Sequence, residues 1–209
     1  AAYATSGETG KINKPIIALL AHGNDCLLDG HIDGVSVIIG NMRGGGEIVR
    51  TEQQVGPLMQ SAWCKTASDH TIMMTREGLY AIPGGCARDI NCQLISEQLP
   101  NDLVGIDPGA EDTVAIGYDG RYHGVHIYVD RASGTDAHYF FDLKTRGFFP
   151  MSFAAGTLKL AVNLPGIASA TKSGLIALRS GAAYQFDTAS SESIASHCYY
   201  GPIALGSPL

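Results

Sequence analysis

A short strand-like unit opened by glycine recurs four times in this chain: Asp33-Gly34-Val35-Ser36-Val37, Glu77-Gly78-Leu79-Tyr80-Ala81, His123-Gly124-Val125-His126-Ile127 and Ser173-Gly174-Leu175-Ile176-Ala177. The glycines stand 44, 46 and 50 residues apart. A second pattern, Tyr-x-Phe-Asp, occurs as Tyr139-Phe140-Phe141-Asp142 and again, 45 residues on, as Tyr184-Gln185-Phe186-Asp187. A third pairs Gly56-Pro57-Leu58 with Gly201-Pro202-Ile203. A period of about 40–50 residues, each holding several short strands, is the sequence pattern of β-propeller blades. One four-stranded sheet cannot bury both of its faces, so such units must stack around an axis. The expected fold is therefore all-β, a propeller of about four blade-like repeats, closed on itself or part of a larger ring.

The repeats assign structural roles. Gly34, Gly78, Gly124 and Gly174 are expected to permit a φ > 0 turn and close approach of neighbouring blades. Phe141 and Phe186 are expected between blades, with Asp142 and Asp187 at turns where a carboxylate caps backbone N–H groups. Residues 1–13 read as a flexible arm, and 14–209 as the propeller domain with a closing strand over Tyr199 to Leu205.

Apolar runs broken by turn residues predict the strands. They fall at Ile16–Ala21, Cys26–Leu28, Val35–Ile39 and Glu47–Val55, then at Ser61–Cys64, Thr71–Met74 and Leu79–Ile82. Asn91–Leu99 fits a strand or a short helix, and periodicity does not choose between them. Further strands are expected at Thr113–Tyr118, Val125–Val129, His138–Asp142 and Phe148–Met151, then at Leu158–Val162, Ile167–Ala170, Leu175–Leu178 and Tyr184–Asp187. The 26 glycines suit many tight turns and argue against a helical bundle.

Net charge is −6, and no block of five or more basic residues exists to displace counterions from nucleic acid. An acidic wall that DNA passes without adhering remains compatible with this balance. No run of 18 apolar residues offers a membrane-spanning helix, and no retained signal peptide is read. The chain opens at Ala1-Ala2-Tyr3 without methionine, which suggests a processed product or a fragment. Its five scattered cysteines favour buried free thiols over a disulfide framework, with Cys86–Cys92 as the one small loop to consider.

No motif carries chemistry. His123 and His126 are three apart, which on a strand puts them on opposite faces, and neither His-x-x-x-His nor Cys-x-x-Cys occurs. Asp102, Asp107, Glu111 and Asp112 suggest calcium or acid–base work, but an exposed acidic loop between blades explains them better. Gly-x-Ser-x-Gly is missing, and Gly44-Gly45-Gly46 is followed by no Lys-Ser/Thr. Tyr118, Tyr122, Tyr128, Tyr139, Phe148, Phe149, Tyr199 and Tyr200 serve either a rim that stacks on sugars or the core between blades. The core is the preferred reading. No catalytic, cofactor-binding or metal-ligating residue is expected, and no enzymatic activity.

Two stretches carry a resemblance. Asp119-Gly120-Arg121-Tyr122-His123-Gly124-Val125-His126-Ile127 with Tyr139-Phe140-Phe141-Asp142-Leu143 and Phe148-Phe149-Pro150, and also Arg76 to Gly85, resemble blade sequences of β-propeller virion proteins from tailed bacteriophages. The family includes tail-hub, nozzle and DNA-stabilisation proteins. The resemblance spans roughly residues 15 to 205 and implies a structural role. The protein would join a homo-oligomer and other tail proteins in a ring around the DNA exit channel. It would be located in the virion, and in the host cytoplasm during assembly. The family brings no catalytic residues, and its members are usually much longer. The alternative is a propeller binding module for a glycan or protein partner.

Overall fold

The computed structural model of the protein describes residues 15–23, 26–40, 45–51, 54–85, 90–96, 98–151, 158–163, 172–179 and 182–187, the last three spans as backbone alone. These residues form an all-β fold of fifteen strands with two short 3-10 turns, at Asn101–Leu103 and Pro108–Ala110. The first sheet holds β1 (Ala18–His22), β2 (Cys26–His31), β3 (Gly34–Ile39) and β4 (Glu47–Arg50). The second holds β5 (Trp63–Lys65), β6 (Thr71–Met74), β7 (Leu79–Ile82) and β8 (Gln93–Leu94). The third holds β9 (Thr113–Asp119), β10 (Gly124–Asp130), β11 (Ala137–Asp142) and β12 (Gly147–Pro150). The fourth holds β13 (Leu158–Asn163), β14 (Lys172–Arg179) and β15 (Ala182–Asp187).

Every sheet is an antiparallel meander in which each strand pairs with its neighbour in sequence. Asn91–Leu99, ambiguous in the sequence, supplies the two-residue edge strand β8. The expected strand at Ile167–Ala170, the closing strand from Tyr199 and the Gly201-Pro202-Ile203 match lie outside the described residues.

The sheets stack in chain order because the middle ones are apolar on both faces. In β6, Thr71-Ile72-Met73-Met74 is buried throughout. Successive side chains of a strand point to opposite faces, so such a run supplies two cores. Ile72 and Met74, with Cys64 and Leu79, join Val114, Ile116, Tyr118, Val125, Ile127 and Phe141 in the core shared with the third sheet. Met73, with Tyr80 and Ile82, joins Leu20, Leu28, Val35 and Val37 in the core shared with the first sheet. The third sheet meets the fourth along β9, against which β13 and β14 lie.

Specific bonds gather the first strands. Just before β5, the Gln60 amide receives the Leu19 N–H on Oε1 (2.8 Å) and donates from Nε2 to the Leu19 carbonyl (3.1 Å), reaching β1. The next residue, Ser61, accepts the Ile116 N–H on its carbonyl (3.1 Å) and donates its hydroxyl to the Val114 carbonyl, reaching β9. The link between the first and second sheets is equally tight. A Cβ on Gly56 would collide with the carbonyl oxygen of His31, and one on Gly30 would lie 2.6 Å from the Pro57 ring.

The cysteines meet the expectation of buried free thiols at two positions and depart from it at one. Cys64 and Cys92 are buried free thiols, which removes the Cys86–Cys92 loop. Cys26 is disulfide-bonded, against the reading of free thiols. Cys26 opens β2 at the edge of the core between the first two sheets.

Candidate functional site

The densest polar group lies on the far face of the third sheet. Tyr128 of β10 stands opposite His138 of β11, and His126 opposite Phe140, so the two histidines are diagonal neighbours on one face. His126 Nδ1 and His138 Nε2 are 3.0 Å apart, with the rings stacked at a centroid distance of 5.3 Å. His126 Nε2 is 3.6 Å from Asp119 Oδ2 at the end of β9. Phe140 leans on His126 with ring centroids 5.1 Å apart.

Two ring nitrogens at that distance share one hydrogen, so one imidazole donates and the other accepts. Burial, with the neighbouring His126 second, drives the His138 pKa well below the usual histidine range. A carboxylate–imidazole–imidazole chain has the parts of a proton relay. Access decides against that use: Asp119, His126 and His138 are 1%, 7% and 7% exposed. The chain orients one proton inside the fold and ties β9, β10 and β11 together.

A smaller pair stands on the first sheet. Asp29 is fully buried, with His31 Nε2 3.5 Å from its carboxylate, and His31 Nδ1 lies 3.2 Å from the Pro15 carbonyl. Burial raises the Asp29 pKa, and His31 only partly opposes that shift.

The acidic connection between the second and third sheets is a clamp. Arg131 donates from Nη1 to the Gly105 carbonyl (3.1 Å) and Asp112 Oδ2 (3.2 Å), and from Nη2 to the Asp102 (2.9 Å) and Val104 (2.7 Å) carbonyls. Asp112 also accepts the Asp107 and Ala132 N–H groups. The first of these lowers its pKa most, with the Arg131 guanidinium acting the same way. Asp102 accepts the Tyr139 hydroxyl at 2.7 Å. Asp112 is buried rather than solvated, and its role is to hold the loop.

Beside this clamp opens a cleft of about 330 Å³, lined by Leu58, Thr75, Leu103 and Ile106 with Arg76 and Asp107 among its charged groups. Among the described residues no group of three or more His, Cys, Asp or Glu is placed to hold a metal ion.

The repeat residues fall in two classes. Gly34 opens β3 and Gly78 immediately precedes β7, both third strands of their sheets. Gly124 opens β10 and Gly174 lies within β14, both second strands. The four glycines therefore do not mark one repeated position. Of Gly34, Gly78 and Gly124, only Gly78 has a positive φ (147°). Gly124 is required for another reason: the Phe140 ring occupies the place of its Cβ.

Phe141-Asp142 and Phe186-Asp187 end the third strands of the third and fourth sheets, β11 and β15. Phe141 is fully buried between the second and third sheets. Asp142 accepts the Lys144 N–H (2.8 Å) and the Thr145 hydroxyl (2.9 Å). Among the aromatics, Tyr118 and Tyr128 are buried, Tyr139 and Phe148 pack on the core, and Tyr122 is 49% exposed.

Sequence reasoning missed the His126–His138–Asp119 chain, whose only signal is the pairing register of three strands. It also missed Arg131 as the organiser of the acidic loop. Comparison with protein-family models, with curated proteins and with solved structures finds no match to this chain.

Proposed function

We propose that the four sheets are successive blades of a β-propeller with the first strand of each innermost, and that the protein is a structural virion component of the tail-hub or nozzle kind. The observation that carries the blade reading is the gathering of β1, β5 and β9 through Gln60 and Ser61. Innermost strands of neighbouring blades meet around a propeller's central channel. The virion role rests on the sequence resemblance. It is supported by a net charge of −6, which lets DNA pass a ring without adhering. In this role the protein binds copies of itself and other tail proteins, performs no catalysis, and resides in the virion.

A second reading, a propeller module that binds a glycan or a protein segment, is favoured by the cleft at Leu58, Leu103 and Ile106. Its mixed lining, with Thr75, Arg76 and Asp107 beside those apolar residues, suits a ligand having both apolar and polar parts. Native mass spectrometry of the protein as isolated separates the two. A ring of defined stoichiometry supports the virion role. A monomer overturns it and directs attention to ligands of the cleft.

A further inference from the structure

Two hairpin turns at one end of the third sheet have the same construction. Asp119-Gly120-Arg121-Tyr122-His123-Gly124 joins β9 to β10, and Asp142-Leu143-Lys144-Thr145-Arg146-Gly147 joins β11 to β12. In each, the opening aspartate accepts the N–H two residues on, from Arg121 at 2.9 Å and from Lys144 at 2.8 Å. In each, the residue before the closing glycine is left-handed, His123 with φ 55° and Arg146 with φ 56°. Gly124 pairs with both Asp119 and Asp142, and the Leu143 N–H donates to the His123 carbonyl (3.2 Å), so the turns stand side by side. Arg121, Lys144 and Arg146, scattered in the sequence, thereby share one exposed end of the sheet. The carboxylates there are turned inward: Asp119 is buried, and Asp142 is occupied by the N–H and hydroxyl of its own turn. Beside Arg121 stands the exposed Tyr122, its ring centre 5.3 Å from the guanidinium.

We propose that this pair of turns is a contact site for single-stranded nucleic acid, with the three cations on backbone phosphates and a base stacked on Tyr122. A group of cations beside an exposed aromatic ring is how sequence-independent single-strand sites are built. A sulfated sugar chain or an acidic peptide offers the charge without a flat base to stack. The net charge of −6 does not cancel the site. The carboxylates at the other end of this sheet, Asp112 and Asp136 among them, stand about 20 Å away along the seven-residue strands β9 and β10. Exposed charges separated by more than about 8 Å are largely screened at physiological salt. The acidic remainder repels the strand, so the contact stays local, weak and sensitive to salt. The site stands on the third sheet alone and holds whether or not the four sheets form a ring.

The test is fluorescence anisotropy of a labelled oligodeoxythymidylate titrated with the full chain over a range of salt. The expected result is binding at low salt that weakens with a log–log slope of about −2, three phosphate contacts contributing about −0.7 each. Arg121→Gln, Lys144→Gln and Arg146→Gln should each reduce the slope by about 0.7, and the triple variant should abolish binding. Tyr122→Ala should weaken binding roughly 5–100-fold and leave the slope unchanged. Lys65→Gln, which removes a cation already paired with Asp69, should change neither. The substituted side chains of both turns are exposed, so those variants are expected to keep the wild-type Tm. No binding at low salt, or a triple variant that binds like the wild type, overturns the proposal. Tighter binding to labelled heparin than to the oligonucleotide assigns the turns to a sulfated chain and overturns it as well.

Discussion

Gly56→Ala tests whether the chain between the first two sheets is seated as described. An added Cβ would overlap the His31 carbonyl oxygen and lie 2.7 Å from the Gly34 carbonyl oxygen and 2.9 Å from the His31 carbonyl carbon. Comfortable carbon contacts stand at about 3.5–4.0 Å, so each of these is too short by a large margin. All three neighbours are backbone atoms at the β2–β3 turn, and no side chain can rotate away to relieve them. Gly56 does not have a positive φ, so the penalty is steric. Overpacking costs about 1–3 kcal/mol, and three backbone collisions place this site near about 3 kcal/mol. For a chain of this size that lowers Tm by roughly 6–12 °C in a calorimetric or fluorescence melt. Gly109→Ala is the control, because its Cβ would meet only the Asp107 side chain, at 3.2 Å, and its effect should stay within about 0.5 kcal/mol. Equal Tm values for the two variants would refute the close seating of Gly56-Pro57 on the first sheet.

Acidification should weaken the fold between pH 6.5 and 5, before most carboxylates titrate. The His138 pKa lies well below its unfolded value of 6.5, so the unfolded chain binds more protons in that window and stability falls as pH falls. Melts from pH 7.5 to 5 check this, and His138→Phe should flatten the slope; an unchanged slope contradicts the burial of that imidazole. Phe141→Ala should cost about 3–5 kcal/mol by leaving a cavity between the second and third sheets, read by urea unfolding, whereas Tyr122→Ala at the exposed edge should cost little. Asp112→Ala removes one of four acceptors of Arg131 and the acceptor of two backbone N–H groups, so it should cost about 1–3 kcal/mol and speed hydrogen exchange across 101–112. Wild-type exchange rates there would contradict the clamp.

Strands were legible where one residue run settles the matter. Thr71–Met74 and Leu79–Ile82 have the bounds that their apolar runs suggest, since a strand buried on both faces needs nothing but apolar side chains. Tyr-x-Phe-Asp was legible because its Asp142 acts on its own turn, a local effect that travels with the motif. The glycine repeat was misleading in detail. Gly78 serves a backbone conformation and Gly124 makes room for Phe140, and one letter carries both needs. The better repeat is the start of each first strand, at 18, 63, 113 and 158, but it has no residue signature. What depends on pairing was out of reach. His126 meets His138 only through the β10–β11 register.

The most direct test of the central claim is a cryo-electron microscopy reconstruction of the isolated protein in its native assembly. The account predicts four-stranded meanders set around a common axis, with β1, β5, β9 and β13 innermost and the protomers arranged in a ring. Sheets that pack face to face with no axis, or first strands on the outer rim, would contradict it.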